Sequence, residues 1–405
     1  MKSHIAPLAG GIVILVSVLF WVIYMQTVIT PLSGEWKKMF KAPAEELTAY
    51  AREHPLRLRN KKIQNEDISE STFVGAEFRN VVWDDVVAQD GRFVDATFSG
   101  GSMHDTSFAF SELKNVTFKQ IAFTKSGFSK SRMMNVVFED CQMDETAFVG
   151  AELINVTFRN CKIYNSEIRN LVNSKVSIVG SELSNVSFFQ SLLQLKIRNS
   201  KVVEAIEFMG AQTGSSVDIS DSEIGPYSDF GGSNFVSFEA RNTKIDNSSA
   251  NGITAKKVVL DNVVSDFAIA GSRLQEIVIR NLSGNFSLGR TKSVSTSIEG
   301  CQKNAEIYLN QFAGDRLSVR NCTADVFVLD AAIVKDVTLA NLTVGELVLD
   351  SLKAGKLVLN NVLVNHKLSA QGAMAEEILA PNWRTAAGAT IEAEGTNIPM
   401  PKPGP

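Results

Sequence analysis

The 405-residue sequence has few of the residues that usually carry catalysis, metal binding or covalent cross-links. Its four cysteines are too few for a disulfide framework in so long a chain, so they fix no redox compartment. The four histidines are scattered singly, and no nucleophile motif, phosphate-binding loop or zinc signature occurs. We therefore expect no catalytic residue, no cofactor and no metal.

Neither sign of charge is in excess, since 40 Lys and Arg face 44 Asp and Glu for a net charge of −4. This balance excludes a basic nucleic-acid-binding protein, and we expect no nucleic-acid partner. Tyrosine and tryptophan are also scarce, with 5 and 4 copies against 24 phenylalanines. Such an excess of Phe indicates rings that are buried rather than displayed for hydrogen bonding.

An uncharged, apolar segment comes after a short tail, residues 1–4, that carries Lys2. The segment exceeds the roughly 20 residues that span a bilayer, and no small-residue cleavage site comes after it. We predict an uncleaved transmembrane anchor over residues 5–33 and a single-pass protein of the bacterial inner membrane. Residues 34–60 are predicted to form a juxtamembrane segment with a capping helix at 44–54.

The side of the membrane is open. Lys37, Lys38 and Lys41 come directly after the anchor, and by the positive-inside rule they favour a cytoplasmic position for the rest of the chain. A short tail with Lys2 ahead of an apolar run also fits a signal anchor that exports the remainder of the protein. We favour the periplasmic side and keep the cytoplasmic side as the alternative.

A five-residue period begins after the predicted cap. Of the 27 positions at every fifth residue from Ile63 to Leu193, 25 are large and apolar, and 12 of these are Phe. Two residues before each position the side chain is small, and two residues after it Asn, Asp and Gly dominate. The predicted inward ladder includes these phenylalanines: Phe73, Phe78, Phe118, Phe138, Phe158 and Phe188.

A period of five belongs to neither a helix nor a flat strand, so the backbone must turn a corner every five residues. Asn, Asp and Gly are the residues that such corners tolerate. In the second half, short apolar segments that end in a turn residue, such as 258–262 and 277–281, recur at intervals of 19 to 21 residues. Four pentapeptides give about the same length, so both halves predict a parallel β-helix of about 16 coils on one axis, an all-β fold.

The first half resembles the pentapeptide-repeat family. The motif of that family, A-(D/N)-(L/F)-x-x, is matched by GAEFRNV at 75–81, GAELINV at 150–156 and NVTF at 115–118 and 155–158. The resemblance implies a right-handed quadrilateral β-helix. Some members of the family mimic DNA and bind DNA gyrase, but 17 acidic and 13 basic side chains between Glu66 and Arg198 make a poor phosphate mimic.

The expected organisation after residue 60 has four parts. They are a pentapeptide-repeat β-helix at 61–210, an irregular transition loop at 211–250, a second β-helix at 251–380 and a Pro-rich disordered tail at 381–405. Residues 211–235, which contain Pro226, are either a plain connection or a docking loop. The segment 373–380 is a candidate C-terminal cap.

The cysteines fall into two pairs that the coil length stacks inside the β-helix, Cys141 with Cys161 and Cys301 with Cys322. We interpret both pairs as buried thiols that act as small apolar residues, with an inter-coil disulfide as the alternative.

The absence of a catalytic constellation favours a non-catalytic, membrane-anchored scaffold for a protein partner or for homo-oligomers, within an envelope assembly. Two alternatives remain. One is a gyrase-binding DNA mimic, and the other is a polysaccharide-active enzyme that would use Asp218, Asp221, Glu223 and Asp229.

Overall fold

The structure is a computed structural model that describes residues 55–403. Every regular element in this range is a β-strand, and the described residues divide into two compact units at residue 174, residues 55–174 and 175–403. No helix within the described range is long and apolar enough to cross a membrane. The predicted anchor at 5–33 and the predicted capping helix at 44–54 lie outside the described residues.

The first unit is a parallel β-solenoid of short strands. Its strands are β1 (Arg57–Arg59), β2 (Lys62–Asp67), β3 (Thr72–Val74), β4 (Glu77–Val87), β5 (Arg92–Val94), β6 (Thr97–His104), β7 (Glu112–Lys114), β8 (Thr117–Lys119), β9 (Ala122–Thr124), β10 (Arg132–Met134), β11 (Val137–Glu139), β12 (Gln142–Asp144), β13 (Glu152–Arg159) and β14 (Lys162–Tyr164). Strands pair in parallel with those of the next coil, as Phe98 with Phe118 in β6 and β8 and Phe118 with Phe138 in β8 and β11.

The corners of the first unit lie where the sequence places them. A left-handed backbone conformation recurs every five residues, for example at Asn135 (φ 55°) and Asp140 (φ 54°). Asn, Asp and Gly adopt this conformation at lower cost than other residues, which explains their spacing in the sequence. Four such corners close each coil.

The small inward residue before each large one has a second role. Ser111 Oγ accepts a hydrogen bond from the backbone N–H of Gly91 at 3.0 Å and donates one to the carbonyl of Ala88 at 2.7 Å. A corner leaves backbone groups without a partner in the strand ladder, and burying them unpaired would cost about 1–3 kcal/mol each. The small hydroxyl of the next coil satisfies both groups.

The second unit is also a parallel β-solenoid, with longer strands toward its C-terminal end. Its strands are β15 (Ser174–Val179), β16 (Glu182–Ser184), β17 (Val186–Ser187), β18 (Leu193–Arg198), β19 (Lys201–Val202), β20 (Ile206–Glu207), β21 (Ser215–Ser220), β22 (Glu223–Ile224), β23 (Asn234–Ser249), β24 (Thr254–Ala268), β25 (Arg273–Arg280), β26 (Ser283–Ser287), β27 (Lys292–Glu299), β28 (Ala305–Tyr308), β29 (Ala313–Val328), β30 (Ile333–Val348), β31 (Lys353–Ser369), β32 (Met374–Leu379), β33 (Trp383–Thr385), β34 (Thr390–Glu392) and β35 (Lys402–Pro403).

Coil length in the second unit varies. Lys196 pairs with Asp218, which is a longer step along the chain than the step from Val259 to its partner Val278. Irregular register beside Ser215 absorbs one of these changes. The extra residues lie at corners, so the inward positions of successive coils stay aligned.

Two segments differ from the expected organisation. Residues 211–250, expected to be an irregular loop, contain β21, β22 and β23 and form part of the solenoid wall. The coil that leads into them is longer than four pentapeptides and keeps no five-residue period, which is why the sequence suggested a loop. The segment 373–380 contains β32, which pairs with β31 as one more rung.

The Pro-rich tail also differs from the expected disorder. The indole of Trp383 donates a hydrogen bond to the carbonyl of Pro399 at 2.9 Å, Ile398 is buried, and Lys402 pairs with Arg384 in the neighbouring coil. Proline has no N–H to donate, so it is compatible with the last strand of a sheet, whose outer edge needs no donors. The same property discourages pairing with a further strand.

Candidate functional site

A groove on the second unit is lined by polar side chains and by aromatic rings. Its volume is about 470 Å³, and it crosses successive coils from Tyr227 to Tyr308. We call it the Tyr227–Tyr308 groove. It is lined by Tyr227, Ser228, Asp229, Asn247, Ser248, Ser249, Asp266, Phe267, Ala268, Asn285, Phe286, Ser287 and Tyr308.

The floor of the groove consists of small side chains at one outward position of successive coils. Asp229 pairs with Ser249, Ser249 lies beside Ala268, Ala268 beside Ser287, and Ser287 beside Tyr308. Coils are about 4.8 Å apart, so these four steps cover about 19 Å. Short side chains in the middle and larger ones at both ends make the surface concave.

Tyr227 begins the groove in an unfavourable backbone conformation. Its φ is 65°, in the left-handed region, and 73% of its surface is exposed. A left-handed conformation costs a side-chain-bearing residue about 1–2 kcal/mol, and Asn is the usual occupant of such corners. Burial of the ring does not offset this conformational cost, because the ring is exposed. Phe110 of the first unit is also an exposed aromatic residue in a left-handed conformation, so what distinguishes Tyr227 is its position in a groove that contains carboxylates.

A column of carboxylates runs beside the floor. Asp266, Asn285 and Glu306 occupy the same outward position on three successive coils. Val326 occupies this position on the next coil and Glu346 on the coil after that. We call Asp266, Glu306 and Glu346 the acidic column. None of the three carboxylates forms an ion pair with a lysine or arginine of residues 55–403, although Lys367, whose Nζ lies 3.2 Å from Glu392, is in register with Glu346 one coil further on.

Two further contacts fix polar groups in the groove. Tyr308 donates a hydrogen bond to Glu306 Oε2 at 2.8 Å, and this bond, with desolvation and the negative charge of Glu306, raises the pKa of the Tyr308 phenol above its ordinary value. Asp229 Oδ1 accepts hydrogen bonds from the N–H of Gly231 at 2.8 Å and from Ser249 Oγ at 3.1 Å. The groove is therefore preorganised, negatively charged and aromatic at both ends.

Other outward columns balance their own charge. Arg92 and Glu112 lie one coil apart at 3.4 Å, and Arg132 and Glu152 repeat the arrangement at 3.1 Å in the same column of the first unit. In the second unit Arg280 and Asp261 approach to 3.7 Å. Alternating signs at one-coil spacing leave no continuous acidic face there, which argues against a DNA mimic.

The large apolar residues of the predicted ladder are buried. Their rings stack along the coils, as Phe118 on Phe138 and Phe138 on Phe158, with centroids 4.9 Å apart in both pairs. The buried members of the ladder are Phe73, Phe78, Phe118, Phe138, Phe158 and Phe188. These rings form the interior of their units and contribute no group to the surface.

The two cysteine pairs differ from each other. Cys141 and Cys161 are buried thiols, and the hydrogen bond between them, with burial, raises the pKa of the Cys141 thiol well above its ordinary value. Cys301 and Cys322 form a disulfide between adjacent coils, with Cα atoms 4.4 Å apart. For this pair the structure therefore has the alternative, an inter-coil disulfide, in place of two buried thiols. A separation of 4.4 Å between the two Cα atoms is short enough for the bond.

The four acids proposed for glycan cleavage are not brought together. Asp218 lies 3.6 Å from both Arg198 and Arg241, and Glu223 lies 3.7 Å from Lys201. Asp221 accepts a hydrogen bond from the amide of Asn242 at 3.0 Å. Only Asp229 reaches the groove, and within residues 55–403 no cluster of three metal-ligating side chains occurs.

The acidic column is the part of the site that the sequence did not suggest. Its members recur at a constant interval, from Asp266 to Glu306 and from Glu306 to Glu346, which is two coil lengths. A search for acids at that spacing would have found them, but only with the register of coils of variable length already known.

Comparison with known proteins supports the repeat. Residues 111–188 match the family model described as a pentapeptide repeat region, which confirms the resemblance for that part of the chain. The structure of HetL, a pentapeptide repeat protein involved in heterocyst differentiation regulation from the cyanobacterium Nostoc sp. strain PCC 7120, aligns at 10% identity, over 66% of this chain and 97% of its own, with a TM-score of 0.34. Trypsin-treated QnrB1, a plasmid-mediated fluoroquinolone resistance protein, aligns at 15% identity, over 47% and 92%, with a TM-score of 0.27. No curated protein matches the sequence significantly.

Proposed function

We propose that the protein is a non-catalytic binding scaffold that recognises a protein partner in the Tyr227–Tyr308 groove. In this proposal residues 5–33 anchor it in the bacterial inner membrane, and the solenoid lies on the periplasmic side as part of an envelope assembly. The observation that carries the binding role is the exposed, left-handed Tyr227 beside carboxylates that form no ion pair with a lysine or arginine of the described chain.

Two features support a scaffold rather than an enzyme. The solenoid holds its surface on parallel strands, so a partner meets a rigid surface and little ordering is required on binding. The proposed catalytic acids are separated and mostly paired with cations or amides. Glycoside hydrolysis needs two carboxyl groups facing each other across the bond.

The disulfide supports the periplasmic side. Cys301 and Cys322 join adjacent coils, and structural disulfides persist in oxidising compartments such as the periplasm rather than in the cytoplasm. The signal-anchor interpretation of the N-terminus points to the same side. Proteolysis of spheroplasts tests the orientation. Cleavage within 55–403 before lysis is expected, and protection until lysis would contradict the periplasmic assignment.

Site-specific photocrosslinking in intact cells tests the binding role. A photoreactive phenylalanine at Ser287, on the groove floor, should give one discrete protein adduct that disappears when Tyr227→Asn is introduced. Ser297, a half-buried outward serine of β27 outside the groove, is the matched control position. Equal adducts from both positions, or none from Ser287, would overturn the assignment of the groove.

A further inference from the structure

The spacing of the acidic column indicates the chemistry of the partner, an inference that rests on the proposed function. Asp266, Glu306 and Glu346 occupy the same outward position on every second coil. Since neighbouring coils are about 4.8 Å apart, successive carboxylates are about 10 Å apart along the solenoid axis.

We infer that the acidic column binds a polyproline II segment that carries Lys or Arg at every third residue. Polyproline II has three residues per turn and a rise of about 3.1 Å, so residues i and i+3 share a face about 9.3 Å apart. That repeat matches two coils of the solenoid to within about 1 Å, by the same estimate of about 4.8 Å per coil.

Two other peptide conformations fit less well. In an extended strand, side chains on one face recur at about 6.6 Å, which does not match the roughly 10 Å repeat of the carboxylates. In an α-helix, residues seven apart are about 10.5 Å apart, but the helix is about 10–12 Å wide. The acidic column and the floor column of Ala268, Ser287 and Tyr308 are two residues apart on each strand, or about 7 Å, which is too narrow for a helix.

The aromatic rings fit the same ligand. Proline-rich segments bind in grooves lined by aromatic side chains because the polyproline II conformation is already formed before binding. Tyr227 presents an exposed ring at one end of the groove, and Tyr308, held by its hydrogen bond to Glu306, presents a half-buried ring at the other. The rings also favour cations over their faces.

Binding of labelled peptides to the full-length protein in a non-ionic detergent tests this inference. The probe contains three Pro-Pro-Lys triplets and is followed by fluorescence anisotropy at low and high salt. A permuted peptide of the same composition, with its lysines consecutive, should bind at least about threefold more weakly, because it aligns with fewer carboxylates. Raising the salt concentration should weaken the triplet peptide further.

Variants assign the effect to the column. Glu306→Gln keeps an acceptor for Tyr308 but removes the charge, and it should weaken the triplet peptide about two- to fivefold. The matched control is Asp315→Asn, which removes an exposed carboxylate of β29 outside the groove and should have no effect. A Tyr227→Asn variant should also weaken binding, while thermal unfolding shows that each variant is folded.

Several outcomes would overturn the inference. These are equal binding of the triplet and permuted peptides, tighter binding of an α-helical peptide with lysines seven apart, and binding of cellohexaose in place of the peptides. Each of these leaves the proposed function intact if Ser287 still crosslinks to a protein. Loss of that crosslink together with peptide binding would overturn both.

Discussion

Replacing Phe138 probes the interior of the first unit, because the ring is fully buried and stacked on both sides. None of its surface is exposed, and its centroid is 4.9 Å from those of both Phe118 and Phe158. Three other rings approach it edge-on at 5.9 to 6.0 Å: Phe123, Phe128 and Phe148.

The expected cost of Phe138→Ala follows from these contacts. Truncating a buried Phe costs about 3–5 kcal/mol, and each aromatic pair adds about 0.5–1.5 kcal/mol beyond its buried area. Because two stacked partners are lost at once, we expect a loss near the upper end, about 4–5 kcal/mol. Phe138→Leu should cost about 1.5 kcal/mol, since Leu113 and Leu153 occupy equivalent inward positions of the repeat.

Native-state hydrogen exchange of the full-length protein is the appropriate assay, because repeat proteins open locally and global unfolding averages over many coils. Amides of β8, β11 and β13 should lose protection by the predicted amount. Phe110→Ala is the matched control, since Phe110 is 53% exposed and has a left-handed φ of 60°. A loss below about 1 kcal/mol at Phe138, or an equal loss at Phe110, would refute the stacked interior.

Three further predictions concern the second unit. Cys322→Ser keeps an acceptor for the N–H of Cys301 but removes the disulfide, which joins residues 21 apart in the chain. The free energy of unfolding should therefore fall by about 3 kcal/mol. Reductant should destabilise the wild type but not the variant. Thr296→Val should stabilise the protein by about 1 kcal/mol, because the buried Thr296 hydroxyl has no hydrogen-bond partner among the described residues and its column neighbours are Ile277 and Leu317. Unchanged or lower thermal stability would show that the hydroxyl makes a hydrogen bond in the folded protein. Tyr227→Asn should stabilise the protein by about 1 kcal/mol while abolishing the Ser287 crosslink, and a variant that binds normally would remove Tyr227 from the site.

The sequence predicts the inward-facing residues and the corners well, because both depend on residues that are close together in the chain. Each five-residue unit contains its own large residue, small residue and corner, so Phe118 and Asn135 can be assigned from their immediate neighbours. The resemblance to a known repeat covers the same part of the chain. The side of the membrane and the structure of residues 5–33 stay predictions.

The contacts between outward-facing side chains were harder to predict, because they join residues of different coils. Arg132 and Glu152 look unrelated in the sequence and become an ion pair only once the coil length is known. In the second unit the coil that leads to Asp218 is longer than the coil that leads to Val278, and this variation destroys any fixed period. The same variation made residues 211–250 look irregular and hid the acidic column.

The direction of the corner hydrogen bonds separates structural acids from those of the groove. Along each amide ladder, Asn Nδ2 donates to the side chain of the preceding coil, as from Asn135 to Asn115 at 3.1 Å and from Asn115 to Asp95 at 2.8 Å. The first member of a ladder only accepts, so a carboxylate suits it, and Glu299 begins a second ladder by accepting from Asn321 at 3.2 Å.

Acids at these positions are therefore explained by the fold. The fold likewise explains three asparagines that begin N-x-T sequences, Asn115, Asn155 and Asn341, because each of them donates its amide within a ladder. The acidic column has no such explanation. Within residues 55–403 Asp266 neither begins a ladder nor forms an ion pair, although Asn285 lies one coil away in register. Glu306 accepts a hydrogen bond from the Tyr308 hydroxyl, which itself lines the groove. Carboxylates that form no ion pair within the described chain, repeated at a constant spacing beside the exposed Tyr227, are the strongest reason to place recognition at this groove.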